Sequence, residues 1–219
     1  MSIATMILGE SGTGKTTSLR NLDPQNTLLI QAVKKPLPFR SSGWGRLSKD
    51  TPDGNVLVTD DWSAIISAMS KTRRKVIVLD DFQYVLANEY MRRSEETGFQ
   101  KFSDIGRHAW EIFTKASNLD DDKRVYFLSH TDTNEMGHTK CKTIGKLLDE
   151  KITVEGLFTV VLRTVVDGGN YQFSTKNNGY DTVKAPLGMF DADRVENDLL
   201  KVDAAICAYY DIQTQTQAA

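Results

Sequence analysis

The stretch Ile3-Ala4-Thr5-Met6-Ile7-Leu8 runs straight into Gly9-Glu10-Ser11-Gly12-Thr13-Gly14-Lys15-Thr16. A short apolar run ending at a glycine-rich turn predicts a strand covered on both faces. The octet after it fits G-x-x-x-x-G-K-[ST] at every fixed position, in the strand-to-helix setting that this motif requires. Glycines let the backbone turn tightly enough to aim successive N–H groups at phosphate oxygens. A short helix, expected to run to about Leu22, adds the positive end of its dipole. Lys15 is expected to reach the β- and γ-phosphates of a nucleotide, and the Thr16 hydroxyl to coordinate Mg²⁺. Gly9, Glu10, Ser11, Gly12, Thr13, Gly14, Lys15, Thr16 and Thr17 make up the expected nucleotide-binding set.

A second element, Lys75-Val76-Ile77-Val78-Leu79-Asp80-Asp81, reads as a central strand with acids at its carboxyl edge, where open α/β sheets bind ligands. Asp80 is the expected magnesium ligand beside Thr16. Hydrolysis also needs a group that orients or deprotonates water. Asp81 is the adjacent candidate and Glu10 a less favoured one. Ser129 or His130, at the end of a later strand, is expected to sense the γ-phosphate, and Lys15, Asp81 and His130 form the expected catalytic group.

Outward from these two strands, apolar runs alternate with amphipathic ones. Thr27–Val33 reads as a strand. Lys34–Asn55, with Pro36, Pro38, Pro52, Gly43, Gly45 and Gly54, is expected to be irregular. Val56–Val58 reads as a strand, followed by a helix capped by Asp60 or Asp61 with Trp62, Ile65, Ile66 and Met69 on its apolar face. Phe82–Met91 and Ile105–Ala116 read as helices and Val125–Leu128 as a buried strand. Thr131–Thr143 is polar and expected to be mobile, and Ile144–Glu155 is expected to be helical. Phe158–Val166 and Tyr171–Thr175 read as a hairpin closed at Asp167-Gly168-Gly169-Asn170. A last helix is expected to carry Val195, Leu199, Val202, Ile206 and Tyr209. The implied fold class is α/β: a mostly parallel central sheet flanked by helices, with an antiparallel hairpin at one edge. One domain is expected over residues 1–212, with a flexible tail over 213–219.

Composition bounds the function. The 27 Lys and Arg nearly balance 29 Asp and Glu, a net charge of −2, which argues against a globally basic nucleic-acid coat. With 40% hydrophobic residues the chain can build a real core. Cys141 and Cys207 lie far apart, so no disulfide framework is expected, and the three histidines show no zinc-ligand spacing. No apolar run reaches the roughly 20 residues that cross a bilayer, and no secretory pattern opens the chain. A cytoplasmic location without membrane contact is the expectation.

The order of elements adds a resemblance. A phosphate-loop strand, then Val58-Thr59-Asp60-Asp61-Trp62 before a helix, then Val76–Phe82, then Tyr126-Phe127-Leu128-Ser129-His130-Thr131-Asp132-Thr133-Asn134, resembles the RecA-like P-loop NTPase core over about residues 2–210. More narrowly the chain is similar to phage-encoded, core-only single-strand annealing ATPases of the RecA type. The resemblance implies ATP and Mg²⁺ as cofactors and assigns Gly9, Gly12, Gly14, Lys15 and Thr16 to nucleotide, Asp80 to magnesium and Ser129-His130 to the sensor position. It implies a homo-oligomer acting on single-stranded DNA, with a single-strand-binding protein as a further partner. In RecA relatives the catalytic glutamate follows the second strand. Here that stretch is Gln31-Ala32-Val33-Lys34-Lys35, with no acid.

RecA-like proteins hold DNA through loops after the magnesium-site and sensor strands. The first corresponds to Met91–Ser103, with Arg92, Arg93, Phe99, Lys101 and Phe102, and the second to Thr131–Lys146, with His138, Lys140, Lys142 and Lys146. Of these, Arg92, Arg93, Lys101, Lys140 and Lys142 are the expected DNA contacts. A third basic, aromatic and acid-free stretch, Lys34 to Arg46, suits DNA, a neighbouring subunit or the nucleotide base. Lys140, Lys142, Arg163 and Lys184 are candidates for a cation reaching a neighbouring subunit's site. The leading expectation is an ATP-hydrolysing recombination protein that binds single strands and promotes annealing or pairing. A nucleotide-binding adaptor of the helicase-loader kind, with weak or no hydrolysis, is the alternative. A small-molecule kinase would need an arginine-rich lid that the sequence lacks.

Overall fold

The computed structural model describes residues 1–213; residues 214–219, most of the expected flexible tail, lie outside the described residues. Ten strands and four α-helices follow in the order β1 (Ile3–Leu8), β2 (Thr27–Gln31), β3 (Val56–Val58), α1 (Trp62–Lys71), β4 (Val76–Asp80), α2 (Phe82–Arg92), α3 (Gln100–Ser117), β5 (Arg124–Ser129), β6 (Thr131–Thr133), β7 (Thr139–Cys141), β8 (Val160–Asp167), β9 (Asn170–Ser174), β10 (Arg194–Glu196) and α4 (Leu199–Tyr209). Eight strands form one sheet in the order β10-β9-β8-β1-β5-β4-β2-β3. The six from β8 to β3 are parallel, and β9 and β10 continue antiparallel from β8.

The strands are buried along nearly their whole length because both faces of the sheet are covered. Side-chain alternation deals each apolar run to two cores. Met6, Leu8, Ile77, Leu79, Val125 and Phe127 face α1, α2 and α3. Ile7, Val76, Val78, Tyr126 and Leu128 face α4 and the turn after β1. On the first face Phe82, Phe113, Phe127 and Phe158 form an aromatic knot with ring centroids 4.8 to 5.8 Å apart. Truncating a ring buried this way costs about 3–5 kcal/mol.

Two alternatives at α1 are resolved by hydrogen bonding. Asp61 is its cap, accepting from the Ala64 N–H at 2.7 Å, an interaction that contributes about 1 kcal/mol. Asp60 instead accepts from Asn88 and Arg92 of α2, both at 2.7 Å.

Four expectations change. The helix after the phosphate loop is a six-residue 3-10 helix, Thr16–Asn21, tightened where the Ser18 hydroxyl donates to the Lys15 carbonyl at 2.6 Å. Thr131–Thr143 folds as the antiparallel ribbon β6–β7, turned by the Asn134 side chain, which accepts from the Met136 and His138 N–H groups. Ile144–Glu155 is not one helix. It is a π-helical turn at Leu147–Lys151 and a 3-10 turn at Val154–Leu157, following Gly145 at φ +86°. Val195 lies in β10, not on the last helix, because Asp198 caps α4 by accepting from the Leu200 N–H at 3.0 Å.

Candidate functional site

Parallel pairing brings the carboxyl ends of four strands into one row. Leu8 of β1 lies opposite Ser129 of β5, and Gln31 of β2 opposite Asp80 of β4. The phosphate loop leaves the first of these ends and the Asp80-Asp81 pair the last. Between them opens a cavity of about 380 Å³ lined by Ser11, Gly12, Gly14, Lys15, Thr16, Thr17, Lys35, Pro36, Pro38, Asp81, Tyr84 and His130. Six of the nine expected nucleotide-binding residues, Lys15 among them, therefore face one space together with Asp81 and His130, so all three expected catalytic residues line it.

The loop glycines are required sterically. A Cβ on Gly9 would fall 1.8 Å from the Thr164 hydroxyl, and Gly14 sits at φ +94° with Tyr171 and Asn197 packed against it. Thr164 of β8 anchors the loop, donating to the Leu8 carbonyl at 3.2 Å and pairing with the Thr13 hydroxyl at 2.6 Å. Thr13 in turn donates to the Glu10 carbonyl at 2.7 Å, while the Glu10 carboxylate itself is exposed.

Lys15 is buried, and its ammonium curls back to donate to the Gly9 and Glu10 carbonyls at 2.8 and 2.9 Å. Burial pushes its pKa down to about 8, against the pull of Asp81 and Asp80. Two carbonyls are a weak substitute for anionic oxygens, so the ammonium is poised for a charged partner. Asp80 is 1% exposed, and the Thr16 hydroxyl lies 3.1 Å from both of its carboxylate oxygens. Burial, reinforced by Asp81, pushes the Asp80 carboxyl up to about 6, against Lys35, Thr16 and Lys15.

This donor set fits Mg²⁺. A hydroxyl and a carboxylate converge, and the carboxylate is short of positive charge. Mg²⁺ takes one or two protein oxygens and completes its shell with water and phosphate. Among the described residues no three His, Cys, Asp or Glu side chains gather into a protein-only metal site, so phosphate would have to supply the rest.

Asp81 holds a left-handed backbone, φ +61°, at the start of α2. Its buried carboxylate pairs with the Lys35 ammonium and lies 3.5 Å from His130 Nε2. Burial, then Lys15, lowers the His130 pKa, so the ring is neutral near pH 7 and can accept as well as donate. Tyr84 packs edge-on to it at 5.9 Å. Lys35 is the site residue that sequence reasoning missed. It was visible only as one cation of a basic stretch. Ser129 does not face the cavity; it is fully buried, 3.5 Å from the Cys141 thiol.

The expected DNA contacts are dispersed and mostly engaged within the fold. Arg93 pairs with Glu89 at 3.2 Å and with Glu96 and Asp104 at 2.8 Å. Lys101 is buried, donating to the Arg93, Ser94 and Glu96 carbonyls at 3.2, 3.2 and 2.7 Å. These two cations fasten the α2–α3 connection. Arg92 binds Asp60 and Lys140 binds Asp149, each at 2.7 Å, and only Lys142 of the five is exposed without an ion pair among the described residues. Of the remaining candidate cations, Arg163 lies 3.5 Å from Asp181.

Comparison with models of known protein families gives no match, and comparison with curated proteins gives none. No helix among the described residues is long and apolar enough to cross a membrane.

Proposed function

We propose that the chain is a RecA-like P-loop ATPase that binds ATP with Mg²⁺, assembles as a homo-oligomer and acts on single-stranded DNA in annealing or strand pairing. The observation that carries the nucleotide part is the Thr16–Asp80 contact directly below a glycine-shaped loop whose lysine has no anionic partner. Loop N–H groups bind the phosphates, and Lys15 swings from the Gly9 and Glu10 carbonyls onto the β- and γ-oxygens. Thr16 and Asp80 would hold Mg²⁺, which supplies charge neutralisation on the phosphates when bound. Asp81 takes the proton of the attacking water, and His130 orients that water or reads the terminal phosphate. The DNA part follows from the order of elements.

A second reading, a nucleotide-binding adaptor of the helicase-loader kind with little turnover, is favoured by one observation. Asp81 is held by Lys35, so the base must be released before it can act. ATP turnover with and without single-stranded DNA separates the two, with Lys15→Ala as control. DNA-stimulated turnover that the variant loses is the expected result. Nucleotide binding without turnover, and without DNA affinity at low salt, overturns the leading reading in favour of the adaptor.

A further inference from the structure

We propose that single-stranded nucleic acid is seated in a groove on the Lys34–Arg46 segment, beside the phosphate cavity, and not on the loops after β4 and β5. The inference rests on the nucleic-acid reading above. It starts from where free positive charge lies. Residues 34–46 carry four cations and no acid. Lys35 is held by Asp81, but Lys34, Arg40 and Arg46 are exposed and make no ion pair among the described residues. On the loops after β4 and β5, by contrast, Arg92, Arg93, Lys101 and Lys140 are committed within the fold, which leaves Lys142 as the one unpaired cation of the five expected contacts among the described residues.

The segment is built, although it has almost no regular structure. Buried Asn55 clamps it: its side-chain oxygen accepts from the Gly45 N–H at 2.9 Å, and its amide donates to the Pro24 and Gly43 carbonyls at 2.7 and 2.9 Å. Gln31 donates to the Lys35 carbonyl at 3.2 Å, and Arg46 bridges to Val56. Phe39 and Trp44 meet edge-on at 6.3 Å and pack on the second core. Against this wall lies a groove of about 380 Å³ lined in part by Lys34, Trp44 and Arg46.

Cations that pair with backbone phosphates, next to an indole on which a base stacks, are the chemistry of sequence-tolerant single-strand binding. An acidic protein segment would use the cations and leave the indole idle. The groove also shares Lys35 and Pro36 with the phosphate cavity, so a strand lying in it touches the segment that carries Lys35.

The test is a salt titration of fluorescent oligothymidylate binding to the full chain, comparing wild type with the groove variant Lys34→Ala/Arg46→Ala and with the loop variant Arg92→Ala/Lys142→Ala. The groove variant is expected to lose at least about tenfold in affinity at low salt. Its slope of log affinity against log salt should fall by about 1.4, from two phosphate contacts at about 0.7 each. Binding of a fluorescent ATP analogue should be unchanged, and the loop variant should keep wild-type DNA affinity. In a Trp62→Phe/Trp110→Phe background, oligothymidylate should quench the remaining Trp44 emission. If wild type binds DNA and the groove variant binds it equally well, the groove is overturned and the nucleic-acid reading stands. If wild type binds no oligothymidylate at low salt, the nucleic-acid reading itself fails and the groove with it. If the groove cations bind polyglutamate but not oligothymidylate, the surface belongs to an acidic protein segment, which also overturns the proposal.

Discussion

The two ends of the parallel strands both bury charge, and they treat it in opposite ways. At the amino ends, Arg124 of β5 meets Asp203 of α4 in a two-pronged pair, Nε to Oδ1 at 2.9 Å and Nη2 to Oδ2 at 3.0 Å, and the Tyr126 hydroxyl donates to the same carboxylate. Arg124 also donates to the Asp122 carbonyl at 2.6 Å. At the carboxyl ends, Lys15 has only carbonyls for company and its pKa falls to about 8, while Asp80 is driven up to about 6. The larger cavity, about 900 Å³, lies at the amino ends against the satisfied pair, and the smaller one, about 380 Å³, lies against the unsatisfied groups. Cavity size therefore does not pick out the site. Incomplete compensation of buried charge is the better guide, because strongly perturbed groups in a cleft mark a candidate site.

Breaking the pair at the amino ends should have the largest effect. Asp203→Ala strands a buried guanidinium and should cost about 3–5 kcal/mol, read as a shift in the urea midpoint with nucleotide affinity per folded molecule unchanged. Lys15→Ala should show the mirror image: nucleotide affinity about 100-fold lower, worth about 2.7 kcal/mol, and no loss of stability. The pH dependence sharpens this contrast. Between about 8 and 10.5 the unfolded chain holds a proton on Lys15 that the folded chain has released, so the lysine makes wild-type stability rise with pH there, and Lys15→Ala removes that rise. Asp81→Asn should lower ATP turnover at least about tenfold while sparing nucleotide affinity, about 1.4 kcal/mol in the barrier. Full turnover in that variant would place the base elsewhere. The smallest effect is expected at Asn197, buried beside Gly14 with both amide atoms unpartnered. Asn197→Leu, close in shape, should raise stability by about 1 kcal/mol, measured by thermal unfolding.

Much of the sheet was legible because strand periodicity and glycine punctuation are local. Val76–Leu79 and Val125–Leu128 are too apolar for anything but a doubly covered strand, and they set the α/β class. The phosphate loop was legible for the same reason, since its spacing encodes its own turn. What escaped depends on partners distant in sequence. Lys35 reads as surface charge until β2 and β4 pair and bring it to Asp81, 46 residues away. Arg93 and Lys101 read as free cations because the carbonyls and carboxylates that hold them are arranged by the α2–α3 turn. Strands β6, β7 and β10 are three residues each and mostly polar, so they lack the apolar run that made the equally short β3 readable.

The placement of β1 has a consequence for the order in which the molecule matures. Both of its sheet neighbours come from far downstream, β5 at residues 124–129 and β8 at residues 160–167. The Thr164 hydroxyl that fixes Thr13 arrives 151 residues after it. A nascent chain leaving the ribosome therefore carries its phosphate loop unsupported through most of synthesis, since non-local pairing pays its closure entropy before it yields contacts. Until β8 docks, the phosphate loop lacks the Thr164 contacts that anchor it, so the turn and the strand that fixes it mature at different times.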